Sequence, residues 1–341
     1  MKGRLIALGH VNEIEVAALM VDGRLDDLIF ETDAPTPGTI YRATAGRPIK
    51  GQGGMFMNTP DGMGFLRQVK GVAPGDTLLV QVTGYAEPSK AVPVTQKLLF
   101  KSRYAIITPS APGINISRAI KDDDIRDSLL EIAHAEMEGS AMGLILRSSC
   151  AEADADEIAQ DINQMLDLAT AIIDDSMAQE IEKLIDGDTP HTIAWREWTS
   201  PATVVSDPGA LADHGILDQI DALRQAKAPL SGGAFMFIEP TRALTAVDVN
   251  TGADTSPAAG MKANLAAAKE LPRQLRLRGI GGQITLDLAP MNKKDRRQFE
   301  NTLRAAFRLD PVESALVGWT PLGHFEVQRK RDRVGLNEVP I

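Results

Sequence analysis

Two carboxylates and an amide stand out in the last third of the chain. Asp248 and Asn250 close the run LTAVDVN, and Asp287 closes GGQITLDLAP. In both runs apolar residues lead up to the acid. Side chains alternate between the faces of a strand, so Asp248 and Asn250, two apart, share a face. Desolvating an ionised carboxylate is costly unless it is paired or binds a cation, so acids at the ends of apolar strands call for a partner. Two carboxylates and an amide oxygen converging there make a hard-oxygen set suited to Mg²⁺ or Mn²⁺. The plainer use of the same residues is local, with Asp248 capping a turn and Asp287 opening the loop before Pro290. Residue types alone favour that plainer use.

Strands and helices must alternate to bring these acids together, and the last third reads that way. GGAFMFIEP and RALTAVDVN are strands, a helix spans about Met261–Arg278, GGQITLDLAP is a strand, and a helix runs from about Lys294 to Arg308. A final strand lies near Gly323–Gln328. Alternation of this kind defines an α/β layer. Upstream, the pattern predicts a hairpin turning at Asp22-Gly23 and a Pro-rich boundary near Asp33–Thr39. From Ile40 to about Phe100, short strands separated by Gly and Pro suggest a small barrel. Helical periodicity starts near Asp122, with acids in the first turn. AMGLILRSS is a strand, and an amphipathic helix is expected from Asp154 to Leu184. Thr189–Pro208 reads as irregular, and Ile216–Arg224 as a short helix.

At 341 residues the chain is long enough for two or more domains. With 43% hydrophobic and 24% charged residues it has the composition of a soluble globular protein, and no run of about 18 apolar residues predicts a membrane span. The N-terminus lacks the features of a signal peptide. The single cysteine, Cys150, excludes an intramolecular disulfide framework and any multi-cysteine zinc site within one chain, and suggests the reducing cytoplasm. A net charge of −10 argues mildly against a nucleic-acid partner. The average conceals basic clusters, however, in PRQLRLR, NKKDRR and QRKRDR, and a phosphate-binding surface needs only a local patch. Arg273, Arg276 and Arg278 on one helix and Arg329, Lys330 and Arg331 after the last strand are placed to hold a phosphate backbone, or else to form a solvated face.

EPTRALTAVDVNTG, ANLAAAKELPRQLRLRGIGGQITLDL and FEVQRKR together closely resemble the catalytic region of the RNase E/G endoribonucleases. The resemblance implies that Asp248 and Asp287 bind a catalytic Mg²⁺ or Mn²⁺, that Asn250 helps orient the metal, and that single-stranded RNA is cut to 5′-phosphate and 3′-hydroxyl ends. It extends upstream more weakly. IYRATAGRP resembles the start of the family's OB-type barrel, in which Phe56 and Phe65 match base-stacking positions and Lys90 a basic one. Stacking suits single strands because every base has a π-face, while barrel core is the competing use of both rings. NISRAI and LILRSS resemble the segment that senses the RNA 5′ end, with Arg147 and Ser148 matching an Arg-Thr pair that grips a terminal monophosphate. The implied fold is a multidomain α/β (α+β) chain. Its parts would be a reduced RNase H-like platform (1–37 with 190–225), an OB-fold barrel (38–102), a 5′-sensor region (103–189) and a DNase I-like catalytic domain (226–341).

This sequence also departs from the family pattern. Pro290 stands where a second acid would follow Asp287, Arg242 and Ala266 replace glutamates, Asn115 replaces a glycine in the sensor motif, and Thr320-Pro321-Leu322-Gly323 replaces Ser-Arg-Phe-Gly. No paired-cysteine zinc-link motif is present, which predicts no zinc-linked tetramer and leaves a homodimer open. The three intact site residues favour an endoribonuclease, and the lost acids favour the alternative, a catalytically weak RNA-binding protein with the same fold.

Overall fold

A computed structural model describes residues 2–49, 51, 53–67, 69, 71–87 and 89–341. The chain divides into two compact units, Asp33–Ser200 and a second in which Met1–Thr32 joins Pro201–Ile341.

The second, split unit holds two sheets. In the first, Arg4–Val11, Ile14–Val21 and Arg24–Phe30 form an antiparallel meander, and Thr203–Val205 runs parallel to Arg4–Val11 with Leu5 opposite Thr203. Its two hairpins turn on Asn12-Glu13 and Asp22-Gly23, all four residues at positive φ. Such two-residue turns match the right-handed twist of the strands, so the predicted Asp-Gly hairpin forms as read. Leu5, Val16, Ala18, Leu28 and Phe30 pack against Leu211, Ile216, Ile220 and Leu223 of the short helices beyond residue 209.

The other sheet has six strands in the order Lys227–Pro229, Phe235–Pro240, Thr245–Asn250, Gly282–Asp287, Phe325–Arg329 and Ser314–Trp319. The Ser314–Trp319 strand has no counterpart in the sequence reading. Thr245–Asn250 and Gly282–Asp287 are parallel, and the helix Ala259–Leu277 makes the crossover that parallel neighbours require. This helix and Arg296–Leu309 cover one face. Ala263, Ala267, Leu271 and Leu275 from the first, and Phe299, Leu303 and Phe307 from the second, meet Met236, Ile238, Val247, Val249, Ile284, Leu286, Phe325 and Val327. The four-residue spacing of Phe299, Leu303 and Phe307 is the stripe a helix buries.

In the unit Asp33–Ser200, the strands Ile40–Ile49, Gly54–Thr59, Gly62–Arg67, Val92–Thr95 and Thr77–Val82 pair in that order and close when the first pairs with the last. The result is a five-stranded closed barrel consistent with an OB-fold, filled by Tyr41, Ala43, Met55, Met57, Leu66, Val80 and Val94. A four-stranded sheet follows, in the order Gly113–Ile116, Gly143–Leu146, Ala105–Thr108 and Phe100–Lys101. The helices Asp123–Glu136 and Ala155–Asp174 pack on it, their first turns capped by the Asp122 and Asp154 carboxylates.

Two local expectations fail here. The long helix ends at Asp174 instead of Leu184, and Glu182–Ile185 becomes a sixth strand beside Ile40–Ile49. Buried Arg42 explains the capture, since its guanidinium pairs with Asp175 and Glu182 and donates to the Glu180 carbonyl at 2.9 Å. The segment expected to be irregular contains the helix Pro190–Glu197, capped by Thr189 with proline in its first turn, and the strand Thr203–Val205. Among the described residues no helix is long and apolar enough to cross a membrane.

Candidate active site

Strand register brings the two acids together. Asp248 is the direct neighbour of Asp287 across the parallel pair, and both lie on the sheet face opposite the helix-packed core. Asn250 shares that face and donates from Nδ2 to Asp248 Oδ2 at 2.8 Å, which fixes the carboxylate and leaves the amide oxygen free of that bond. The carboxylates are not desolvated. Asp248 is exposed and the Asp287 side chain is 67% accessible, so the burial cost inferred from the apolar runs does not operate on them. Mutual repulsion operates instead, because like charges directly opposite on neighbouring strands are destabilising, and a divalent cation held between them would reverse the sign. Among the described residues no three His, Cys, Asp or Glu side chains form a ready cage. A metal here would rest on two carboxylates and an amide oxygen and complete its shell with water or phosphate oxygens, as Mg²⁺ commonly does.

Two supporting residues escape a reading of the sequence. Asn264, fully buried on the crossover helix, donates to the Ala289 carbonyl at 2.8 Å and accepts from the Ala289 amide at 3.0 Å. It thereby clamps the chain two residues beyond Asp287. An amide in step with the apolar positions Ala267, Ala268 and Leu271 of a helix is the signal the sequence offers for it. His324 approaches Asp287, Nδ1 to Oδ1 at 3.5 Å, from the turn before the last strand. Of the positions where this chain departs from the family pattern, Arg242 and Pro290 are exposed and Ala266 is half-buried on the crossover helix.

The basic residues divide. Arg276, Arg278 and Arg329 were expected either to face RNA or to form a solvated face, and they do neither. Arg276 and Arg329 converge on Asp310, Arg329 Nη1 lying 2.6 Å from its carboxylate, and both the Asp310 and Arg329 side chains are 1% accessible. Arg276 also donates to the Asp26 carbonyl at 2.6 Å, and Arg278 to the carbonyls of Leu223 and Gln225. These guanidiniums satisfy buried backbone and carboxylate groups and tie the two sheets of their unit together. Arg273 is engaged by Glu270 at 2.6 Å and by the Leu25 carbonyl. Arg331 is half-buried, its side chain lying against Gly281 and Gly282.

In the barrel, Phe56 and Phe65 face each other across adjacent strands with centroids 5.7 Å apart, and neither belongs to the barrel core. Phe56 is 38% exposed. A Cβ at Gly54 would run into the Phe65 ring, so glycine is what lets that ring lie across the strand. Lys90 is exposed and paired with Glu87 at 2.5 Å.

At the expected sensor, the Ser148 hydroxyl is exposed, and Arg147 is committed within the protein. The Arg147 guanidinium donates to the carbonyls of Ser102 at 2.6 Å and Arg196 at 3.2 Å, and to Glu197 at 2.5 Å. Burial alone would raise the Glu197 pKa, but Lys101, Arg147 and Arg196 around it hold it at about 2. Asn115 is exposed on its strand.

The ribonuclease E/G family model matches residues 100–204 and 202–332. Ribonuclease E of Nostoc sp. is 25% identical over 95% of this chain and 56% of its own length. Ribonuclease G of Escherichia coli is 26% identical over 79% of this chain and 62% of its own. The chain thus belongs to the ribonuclease E/G family. It spans a little over half the length of these curated relatives.

Proposed function

We propose that the chain is an endoribonuclease that hydrolyses single-stranded RNA to 5′-phosphate and 3′-hydroxyl ends, using Mg²⁺ or Mn²⁺ held by Asp248 and Asp287. The observation that carries this reading is the in-register pair of exposed carboxylates, steadied by Asn250, in a chain of this family. Bound there, the metal would polarise the phosphate and supply a hydroxide-like water. The protein's own contribution is positional, with Asn250 orienting Asp248 and Asn264 fixing the chain beyond Asp287.

Phe56 and Phe65 would stack bases on the outside of the barrel. Ser148 and Arg147 would read a 5′-monophosphate, which would have to take the place of the Glu197 carboxylate on the Arg147 guanidinium. The six-stranded sheet and its helices are assigned as a DNase I-like catalytic domain, and the N-terminal meander as a reduced RNase H-like platform. Cys150, buried and with its thiol pushed up to about 11 chiefly by burial, is a poor thiolate source. Cys150 is therefore not offered as a bridging zinc ligand, and the assembly proposed is a homodimer.

The test is incubation of a 5′-monophosphorylated, AU-rich single-stranded RNA with Mg²⁺ or with EDTA. Cleavage is expected only with the metal, and Asp248→Asn and Asp287→Asn should abolish cleavage while RNA binding persists. Binding without cleavage under every metal condition would instead establish the RNA-binding alternative.

A further inference from the structure

The strands that position Asp248 and Asp287 also determine what stands beside them. Lys227 is the register neighbour of Phe237, Phe237 of Asp248, and Asp248 of Asp287. The residues next to each of these along its strand, Ala228, Met236, Ile238, Val247, Val249 and Leu286, point into the helix-covered core. Alternation therefore puts Lys227, Phe237, Asp248 and Asp287 in one row on the opposite face. In the next row Phe235 stands beside Asn250.

The two phenylalanine rings meet edge to face, with centroids 5.5 Å apart and planes at 80°. The Lys227 ammonium lies 4.0 Å from the Phe235 ring centre. Both rings are only half-buried, and neither belongs to the hydrophobic core of the sheet. Aromatic rings on a polar face, set between an exposed lysine and an acid pair, are placed to meet a ligand with both a flat apolar surface and negative charge. Lys227 and Asp248 are two strand spacings apart, on the order of 10 Å, which leaves room for a nucleobase between two backbone phosphates.

We propose that Phe237, buttressed by Phe235 and flanked by Lys227, forms a substrate subsite. A nucleobase adjoining the cleaved phosphodiester stacks on Phe237, and the next backbone phosphate meets the Lys227 ammonium. The proposal rests on the ribonuclease reading of Asp248 and Asp287 and adds to it the contact that sets where the strand lies across the acids. Stacking of this kind tolerates any base, because it uses the π-face and not the hydrogen-bonding edge.

The test uses single-stranded RNAs in which each nucleotide flanking the cleaved bond is made abasic in turn. Binding is followed by fluorescence anisotropy in EDTA, and cleavage in Mg²⁺. In the wild-type protein, removal of one particular base should weaken binding on the order of tenfold. In Phe237→Ala the same removal should cost almost nothing, because the stacking partner is already gone. Phe237→Leu, which keeps apolar volume, guards against a folding defect and should lie between the two. Lys227→Gln should flatten the dependence of log affinity on log salt by about 0.7, the share of one phosphate contact on a single strand. If abasic substitution costs the same in wild type, Phe237→Ala and Phe237→Leu while RNA is bound and cut, the subsite is wrong and the ribonuclease reading stands. If wild-type protein binds no RNA, both fall. If Phe237→Ala instead splits a dimer without changing RNA affinity, the strip is a protein interface and the subsite is refuted.

Discussion

Replacing Asn264 by leucine removes one side chain from the core and two hydrogen bonds from the chain beyond Asp287. Leucine keeps the branching but carries bulkier methyl groups, so no cavity forms and any overpacking adds to the cost. The Ala289 amide and carbonyl, both bonded to Asn264 in the native protein, lose their partners, and Ala289 is only 6% exposed. Each buried group left unpaired costs about 1–3 kcal/mol, giving roughly 2–6 kcal/mol in all. For a unit of this size that corresponds to a fall in Tm of roughly 4–24 °C. Asn264→Asp keeps the acceptor facing the amide but buries an unpaired carboxylate whose second oxygen faces the Ala289 carbonyl, so its loss should be at least as large at neutral pH and should shrink in acid, where the protonated group can donate again. The functional consequence is larger than the stability figure suggests. Ala289 lies two residues past Asp287, and a displacement near 1 Å at a reacting group can cost about a hundredfold in rate. Calorimetry on both variants, together with the RNA cleavage assay below their transitions, measures the two effects. If Asn264→Leu melts with wild type and cleaves at its rate, the clamp has no role and the argument from buried pairing fails.

The buried arginines make a second prediction. Asp310→Ala strands Arg276 and Arg329 without their shared carboxylate and should cost about 3–5 kcal/mol by denaturant unfolding; a loss below about 1 kcal/mol would show the pairing to be dispensable. Gly279 ends the crossover helix at φ +64, where a Cβ would strike the Val334 carbonyl. Gly279→Ala should therefore destabilise by more than the ~1 kcal/mol of the left-handed backbone alone, and an unchanged Tm would refute the close approach. Glu197 is held at about 2, below its ordinary value of 4.5. Its contribution to stability is complete above pH 4.5 and disappears as pH falls through its folded pKa of about 2. Glu197→Gln should remove that part of the acid sensitivity in pH-dependent melts, and an identical acid limb in the variant would contradict the cluster.

The strands that carry the acid pair were more legible in the sequence than the partners of the basic residues. Apolar runs ending in Asp248 and Asp287 mark their own strands, and an Asp-Gly pair between two such runs marks its own hairpin, because these are local patterns with one geometry each. The partner of a side chain is not local. Arg276, Arg278 and Arg329 look like surface cations because only tertiary structure supplies Asp310 and the carbonyls that bury them. The helix expected to run to Leu184 was misread for the same reason, since nothing between 175 and 185 announces that Arg42 and a barrel edge will capture that stretch as a strand. Phe235 and Phe237 lie in an apolar run that marks a strand, and only the register beside Asp248 and Asn250 reveals which face they occupy.

The division of the chain sets an order of assembly. The meander Arg4–Phe30 is synthesised first, but its fourth strand, Thr203–Val205, and its covering helix, Ile216–Leu223, come only after the whole of Asp33–Ser200. At about 5–20 residues per second, the hairpins wait on the order of ten seconds or more with one apolar face uncovered and an edge strand unpaired. Asp33–Ser200, contiguous and with its own cores, can finish folding in that interval. Nascent chains arrested when Ser200 has just cleared the ribosome should therefore protect this unit from proteolysis while Arg4–Phe30 is still open to attack. Mutations that slow the arrival of the later segment would lower the yield of folded protein even where they leave the finished molecule unchanged.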